Sequence, residues 1–317
     1  HPHLRVALSF HPLLIGGNPL KVTAAYALIH SLERTWGVHS AMGGTGAIIQ
    51  GLVGLLNGLN IPIHYQAPVT RILTTNGRAS GVQLANGESV QADIVVSNAD
   101  VAWTYKHLMP PSHTNWWTNF RIDHAHHSMG LFVWYFGTRR RYGHLPHHSL
   151  VLGPRYEELL KDIFDRRVLS HDFSIYLHRP TATDPSVAPP GCDAFYALVP
   201  VPHLGSGVDW SRQGELLRVA LAQRLNDTVL PGLTNEIITS RISTPKTFEQ
   251  RLWSHLGAGF GLEPRLTQSA WFRPHNRSKQ LPGLFMVGAG THPGAGVPGV
   301  LMSAKALEEV VPHAVRH

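Results

Sequence analysis

The sequence predicts a mixed α/β fold in which two lobes are interleaved along the chain. Segments that alternate strand and helix patterns lie towards both ends. Between them, residues 112–202 carry apolar and aromatic strand patterns that favour a largely antiparallel sheet. Near the end of the chain, the apolar strand at residues 284–287 leads through a glycine-rich loop into a helix. A sheet-rich lobe inserted into a strand–helix lobe would produce this order.

Changes in these patterns divide the chain into four segments. Residues 1–40 are predicted to be largely helical, and residues 41–100 combine a glycine turn, a helix and a hairpin. Residues 101–257 contain the predicted antiparallel sheet, and residues 258–317 return to a strand, a glycine loop and a helix. We expect residues 41–100 and 258–317 to belong to the same lobe.

The composition favours a large core and excludes one class of partner. Of the 317 residues, 43% are apolar and 15% charged, whereas about a quarter is charged in typical soluble proteins. The formal net charge of +7 favours anionic partners, such as a phosphorylated cofactor or an anionic membrane face. The basic residues are scattered except at Arg139-Arg140-Arg141, so we expect no nucleic-acid interface.

Cysteine usage and the apolar runs indicate the compartment. Cys192 is the only cysteine, which excludes an intramolecular disulfide and favours a reducing, cytoplasmic environment. The most apolar stretch, residues 47–63, is interrupted by three polar amides and is predicted to be a buried or interfacial helix rather than a membrane span. The chain begins with His1 inside an apolar pattern, which we interpret as a fragment that starts within a helix.

The strongest candidate for a binding site is the glycine loop at residues 288–299. It precedes a helix predicted to start at Pro298, a residue that loses no hydrogen bond in the first turn. The N–H groups of Gly299, Val300 and Leu301 would then lie at the positive end of the helix dipole. Such a helix start suits an anionic oxygen.

The glycine spacing of the loop also matches a dinucleotide-binding fingerprint, but the position of the glycines relative to the strand does not. The spacing Gly294-x-Gly296-x-x-Gly299 is present, yet the glycines do not follow the strand directly. No second strand with a ribose-binding acid follows. The alternative is a glycine loop that closes a strand–helix unit without binding a ligand.

Five segments, taken in order, carry a family resemblance. They are Ser9-Phe-His-Pro-Leu-Leu-Ile-Gly-Gly-Asn-Pro19, Gly43-Gly-Thr-Gly46, Ser97-Asn-Ala-Asp100, Thr267-Gln-Ser-Ala-Trp-Phe-Arg-Pro-His-Asn-Arg277 and the loop from Val287 to Val300. Together they resemble the bacterial-type phytoene desaturases of the flavin amine oxidase superfamily. The family's N-terminal strand, Gly-rich ADP-binding loop and ribose-binding acid have no counterpart, so the chain resembles roughly the last two-thirds of such a protein.

This resemblance implies a fold and an activity. The fold would comprise an FAD-binding, Rossmann-like lobe, incomplete at its N-terminus, and a substrate lobe with a mixed or antiparallel sheet. The activity would be the FAD-dependent desaturation of phytoene toward lycopene, in which flavin N5 accepts hydride from an allylic carbon. An apolar C40 polyene substrate implies a cytoplasmic protein that associates peripherally with the membrane surface, and a homo-oligomer is compatible with this.

Two alternatives to phytoene desaturation stay open. One is another polyene flavoenzyme, such as a diapophytoene desaturase, a hydroxycarotenoid 3,4-desaturase or a retinol saturase-like reductase. The other is an inactive lipid-binding fragment, since the ADP-binding half of the FAD site has no counterpart in the chain.

The resemblance also implies cofactor-binding residues. The backbone of Val69 would contact the adenine. Gly290 would also bind the cofactor. Thr291 would lie near the phosphate–ribityl region, where relatives often carry an acid in its place. Gly299 and Val300 would face the flavin end or the pyrophosphate through their N–H groups.

The sequence does not identify the catalytic residues. Arg273 and His275 match the family and would either face the site or brace the loop through hydrogen bonds to carbonyls; of the two roles, we favour bracing. Isolated carboxylates offer further proton acceptors, namely Glu33, Asp100, Asp172 and Glu263.

No metal site is predicted, although the chain has 22 histidines. The clusters at residues 124–127 and 144–148 resemble metal ligands, but neither has an acid or a cysteine at ligand spacing. We therefore interpret them as surface histidines.

Overall fold

The computed structural model describes residue 6 and residues 8–312, so the helix predicted around His1 lies outside the described residues. The chain forms two compact units, each assembled from separate stretches. The first unit comprises residues 64–129 and the described parts of residues 1–27 and 248–317, and the second comprises residues 28–63 and 130–247. The predicted mixed α/β class is confirmed.

The strands are β1 (Val69–Thr75), β2 (Arg78–Leu84), β3 (Ser89–Gln91), β4 (Val95–Ser97), β5 (Gly130–Thr138), β6 (His148–Val151), β7 (Ile175–His178), β8 (Asp193–Val201), β9 (Ile237–Ser243) and β10 (Leu284–Met286). The α-helices are α1 (Leu28–Trp36), α2 (Thr45–Gly58), α3 (Val101–Trp103), α4 (Trp116–Asp123), α5 (Tyr156–Lys161), α6 (Trp210–Thr228), α7 (Leu233–Glu236), α8 (Pro245–Leu252) and α9 (Val297–Glu308). Short 3-10 and π turns connect many of them.

Two small sheets build the first unit. Strands β1, β2 and β3 form an antiparallel meander, and β4 pairs in parallel with β10, with Leu284 opposite Val95. Parallel partners need a long crossover, and here the chain between the two strands includes residues 130–247 of the second unit. The core under the parallel pair consists of Ile72, Val95, Tyr105, Leu108, Met109, Leu281, Leu284 and Met286, together with smaller neighbours.

The second unit contains a five-stranded antiparallel sheet in the order β6-β7-β8-β5-β9. Alternate residues of β8 are buried, which is the pattern of a sheet with one face on a core. That face packs against α6, and the cluster includes Phe132, Trp134, Phe136, Phe195, Val199, Leu217, Leu221 and Leu225. The antiparallel sheet predicted from the patterns in residues 112–202 is therefore present.

The boundaries of the units differ from the predicted segments. Residues 28–63 belong to the second unit, whereas the sequence patterns divide them between two other segments. Residues 101–129 belong to the first unit, because Val101, Tyr105 and Leu108 pack beneath the parallel strand pair. Long-range packing determines the unit to which each of these ranges belongs, and such packing leaves no local signal in the sequence.

Helix α2 excludes one of its two predicted environments. None of the residues of α2 is buried within the described part of the chain, so the buried alternative is wrong and the interfacial one stays a prediction. Ile49 and Leu55 are 60% and 59% exposed. Among the described residues, no helix is both long and apolar enough to cross a membrane.

Candidate functional site

The glycine loop after β10 packs directly on the turn after β4. A Cβ atom on Gly288, whose φ is 103°, would lie 2.4 Å from Asn98 Oδ1. One on Gly290 would lie 2.7 Å from Val101 Cγ2. The left-handed φ favours glycine at position 288, and the branched side chain and backbone of Val101 leave no room for a Cβ at position 290. The structure thus brings together the Ser97–Asp100 segment and the loop, which are far apart in sequence.

Helix α9 begins one residue earlier than predicted, which changes the assignment of its N–H groups. Gly296 is its N-cap, and the N–H of Val300 donates to the Gly296 carbonyl at 2.9 Å. Val300 therefore makes the first intrahelical hydrogen bond and does not offer its N–H to a ligand. Pro298 has no N–H, so the N–H groups that precede this bond belong to Val297 and Gly299.

Gly299 fits the start of α9 for a steric reason. A Cβ atom there would lie 2.6 Å from the Gly294 carbonyl oxygen, because the loop crosses close to the first helical turn. A Cβ on the N-cap Gly296, in contrast, would meet nothing within 4 Å. The outer side of the loop is therefore open, while its inner side is tightly packed.

Thr291 occupies the inner side of the loop, whereas the resemblance implies a position near the phosphate–ribityl region of the cofactor. Its side chain is completely buried. The hydroxyl donates to the Gly288 carbonyl at 3.0 Å and lies 2.6 Å from the Ser303 hydroxyl, which also accepts from the Gly288 N–H. Thr291 and Ser303 thus attach the loop to α9. Sequence reasoning missed Ser303, although a serine in an apolar helix four residues beyond Gly299 is a usable signal.

Arg273 braces the loop through hydrogen bonds to carbonyls, one of the two roles considered for it. Only 2% of the residue is exposed, and its Nε and Nη2 donate to the carbonyls of Thr291 at 3.0 Å and Ala289 at 2.7 Å. Burial lowers the pKa of Arg273 below its usual range. The loop carbonyls replace the water that the buried guanidinium has lost. We assign Arg273 a positioning role.

The positions of His275 and Val69 do not by themselves indicate a role. The ring of His275 is half-buried and edge-on to Trp271, with ring centroids 4.8 Å apart. Val69 is the first residue of β1, an edge strand, and pairs with Leu84. The roles predicted for these two residues stay predictions.

Three of the carboxylates considered as proton acceptors have structural partners. Asp100 caps α3, because its Oδ1 accepts from the N–H groups of Ala102 and Trp103 at 2.8 and 3.1 Å. Burial is the main reason that its pKa is raised. Asp172 pairs with Arg155, and Glu263 with Arg265 at 2.7 Å.

A flavin fits the outer side of the loop and the start of α9. The N-terminal end of the 12-residue helix is electropositive, and no acidic residue lies in its first turn. Val297, Leu301 and Met302 are each more than half exposed and supply apolar surface next to that charge. A planar apolar ring that carries anionic groups matches this combination.

Comparisons with known proteins identify the family of the chain. A family model described as flavin containing amine oxidoreductase matches residues 1–306. The chain is 48% identical over 310 residues to a lycopene-forming phytoene desaturase from Pseudescherichia vulneris, covering 98% of this chain and 63% of that protein. It is 46% identical over 318 residues to a neurosporene-forming phytoene desaturase from Rhodobacter capsulatus, covering 98% and 61%.

The fold is also shared with solved structures. An oxidoreductase from Methanosarcina mazei superposes with a TM-score of 0.67 at 20% identity, covering 97% of this chain and 64% of that one. The chain spans 61–63% of the length of the two desaturases. The similarity to phytoene desaturases is confirmed, and the chain belongs to the family of flavin-containing amine oxidoreductases.

Proposed function

We propose that this chain is part of an FAD-dependent phytoene desaturase that converts phytoene stepwise toward lycopene. The observation that carries the proposal is the 46–48% identity to proteins named phytoene desaturases, along 98% of this chain. Because the chain spans less than two thirds of their length, the activity is proposed for the whole protein.

The first unit would hold the cofactor through the outer side of its glycine loop. The N–H groups of Val297 and Gly299 and the positive end of α9 would bind an anionic group of FAD. Arg273 and Thr291 would keep the loop in shape from inside, without contacting the cofactor. When bound, FAD supplies the two-electron acceptor that dehydrogenation of a CH–CH bond requires.

The second unit would supply an apolar surface for the polyene. On the sheet face opposite α6, Tyr135, Tyr176 and Tyr196 form a row, with ring centroids 5.7–6.0 Å apart. Burial is the main cause of the raised pKa of Tyr196, and burial also raises the pKa of the other two. All three phenols therefore stay neutral at physiological pH, which suits a substrate without charge.

Association with a membrane surface belongs to the same proposal, because phytoene is an apolar hydrocarbon. Three residues of the first unit support it: Leu266, Trp271 and Phe272 are 69%, 76% and 60% exposed on consecutive 3-10 turns. Exposed aromatic residues of this kind anchor proteins at lipid interfaces. Replacement of Trp271 and Phe272 by serine should reduce the fraction of protein that floats with anionic liposomes. An unchanged fraction would exclude this segment as the anchor.

The activity can be tested with a chimera. The part of the Pseudescherichia vulneris desaturase that this chain does not match would be joined to this chain and incubated with FAD, a quinone acceptor and phytoene in liposomes. Each desaturation lengthens the conjugated polyene, so we expect coloured products that absorb at longer wavelengths. A parallel assay with diapophytoene separates the C40 from the C30 activity.

The controls make a negative result decisive. If the parental desaturase converts phytoene and the folded chimera does not, the proposed function is wrong. If the chimera also binds no FAD, as judged by flavin absorbance after gel filtration, the lipid-binding alternative is favoured.

A further inference from the structure

Three histidines converge at one edge of the sheet in the second unit. His148 begins β6, an edge strand, and His178 ends β7, and the antiparallel register places them directly opposite each other. The carbonyl of His147 accepts from the N–H of Arg179 at 2.8 Å, which extends the pairing by one residue. His147 and His148 of the sequence cluster thereby gain a third histidine that only the strand pairing could bring there.

Their ring nitrogens lie close enough to share one ion. One ring nitrogen from each histidine lies within 4.8 Å of the other two. The Nε2 atoms of His147 and His178 are 2.6 Å apart. Two nitrogens bound to one tetrahedral Zn²⁺ are about 3.3 Å apart, given bonds of about 2.0–2.1 Å. Small rotations of the two rings would therefore open the space that an ion needs.

The opposite ring nitrogens are held by hydroxyl groups. Nδ1 of His147 lies 2.5 Å from the Thr183 hydroxyl, and Nδ1 of His148 lies 2.6 Å from the Tyr176 hydroxyl. Such outer partners fix the ring orientation of metal-binding histidines and leave the other nitrogen to the metal. This arrangement leaves Nε2 of both rings directed away from their hydroxyl partners.

Among the described residues, the ring nitrogens of His178 have few hydrogen-bond partners. Its Nδ1 is buried and has no hydrogen-bond partner among the described residues, and its Nε2 meets only another imidazole. Within the described part of the chain, the ring nitrogens of His178 thus have only the polar contact that Nε2 shares with His147. An ion that organises the three rings would replace the close contact of two imidazole nitrogens by coordination.

We propose that His147, His148 and His178 bind a divalent transition-metal ion of the zinc class through three imidazole nitrogens. Three protein ligands leave the fourth position of a tetrahedral site to water. The ion would tie the edge strand β6 to the end of β7, so its binding stabilises the folded second unit by mass action. This site lies within the second unit and is independent of the flavin proposal.

The test uses the whole chain, purified without a histidine tag and freed of metal by chelation. We expect one equivalent of Zn²⁺ per chain in calorimetry and, with Co²⁺, the visible absorption bands of a tetrahedral site. Zn²⁺ should raise the melting temperature. His148→Gln should weaken Zn²⁺ binding at least tenfold, and His178→Gln should do the same. The matched control is His171→Gln, which changes an exposed histidine of the same unit and should bind like the wild type.

Two results would overturn the proposal. One is the absence of stoichiometric binding by the wild-type chain. The other is equal binding by the wild type and the His147→Gln/His148→Gln variant, which would indicate scattered surface histidines. If His178→Gln does not fold, the single variants of His147 and the exposed His148 decide the question. Thr183→Val, which removes only the outer partner of His147, should weaken binding by about 10–100-fold.

Discussion

At the scale of single residues, Arg273 shows how a buried charge can act as a scaffold. Its guanidinium has loop carbonyls as partners rather than a carboxylate. The rigid fork of arginine can reach two carbonyls at once, whereas the ammonium of lysine is a point donor. The loop therefore depends on this side chain for its shape.

Replacement of Arg273 by lysine should destabilise the chain and, on the proposed function, weaken FAD binding together. We expect a loss of about 2–3 kcal/mol in the free energy of unfolding, because at least one charged hydrogen bond is lost in a buried site. Urea denaturation and flavin titration would measure the two effects. The control is Arg277→Lys, an exposed arginine of the same segment. Equal effects of the two substitutions would contradict the bracing role.

Thr291→Val tests whether the hydroxyl holds the loop or touches the cofactor. Loss of its buried hydrogen bonds should cost about 1–2 kcal/mol of unfolding free energy. In a double-mutant cycle with Ser303→Ala the two losses should not add, because the hydroxyls share one network. Reduced FAD affinity at unchanged stability would instead restore the contact predicted from sequence.

At the scale of elements, two helical glycines have opposite steric requirements. A Cβ atom on Gly299, in the first turn of α9, would lie 2.6 Å from a carbonyl oxygen, whereas one on Gly51, inside α2, would meet nothing within 4 Å. This steric clash, rather than helix propensity, should therefore determine how a substitution at Gly299 changes stability.

We expect Gly51→Ala to stabilise the chain by about 0.5–1 kcal/mol, the usual gain inside a helix. Gly299→Ala should destabilise it and weaken FAD binding, because either the loop or the helix start must move. Thermal unfolding and flavin titration of the two variants would show this. A Gly299→Ala variant with wild-type FAD affinity would argue against a cofactor contact at this helix start.

The beginning of β8 depends on a buried carboxylate. Asp193 accepts from Arg179 Nε at 2.9 Å, from the Thr181 hydroxyl at 2.7 Å and from the Tyr142 N–H at 2.7 Å. Burial by itself would raise its pKa, but these hydrogen bonds lower it on balance. The charged form is thus the one that the fold stabilises.

Asp193→Ala should cost about 3–5 kcal/mol, because it leaves the Arg179 charge buried without its partner. Chemical denaturation monitored by tryptophan fluorescence would measure the loss. Asp227→Ala, an exposed carboxylate of α6, is the control and should change little. A comparable loss at both positions would contradict the argument.

At the scale of the whole molecule, the high histidine content makes stability depend on pH. Burial, followed by repulsion from His127, lowers the pKa of His255 to about 4. The unfolded chain therefore binds this proton first, near the ordinary value of about 6.5. As the pH falls from about 6.5 towards 4, protonation lowers the free energy of the unfolded state relative to the folded state. The free energy of unfolding therefore decreases.

Replacement of His255 by glutamine should make unfolding less sensitive to pH within that window. Urea midpoints of the wild type and the variant at pH 7 and pH 5 would provide the comparison. His64→Gln changes an exposed histidine of the first unit and serves as the control. If the His255 variant kept the full pH dependence of the wild type, this histidine would not be its source.

The sequence alone determined the mixed α/β class, the antiparallel sheet, the family and the glycine loop, because these depend on local periodicity and on contiguous motifs. It could not assign residues 28–63 and 101–129 to their units, or separate the inner side of the loop with Thr291 and Arg273 from the outer side with Gly296. Nor could it bring His178 to His147 and His148. Each of these depends on which distant segments pack together, and only the tertiary structure decided that.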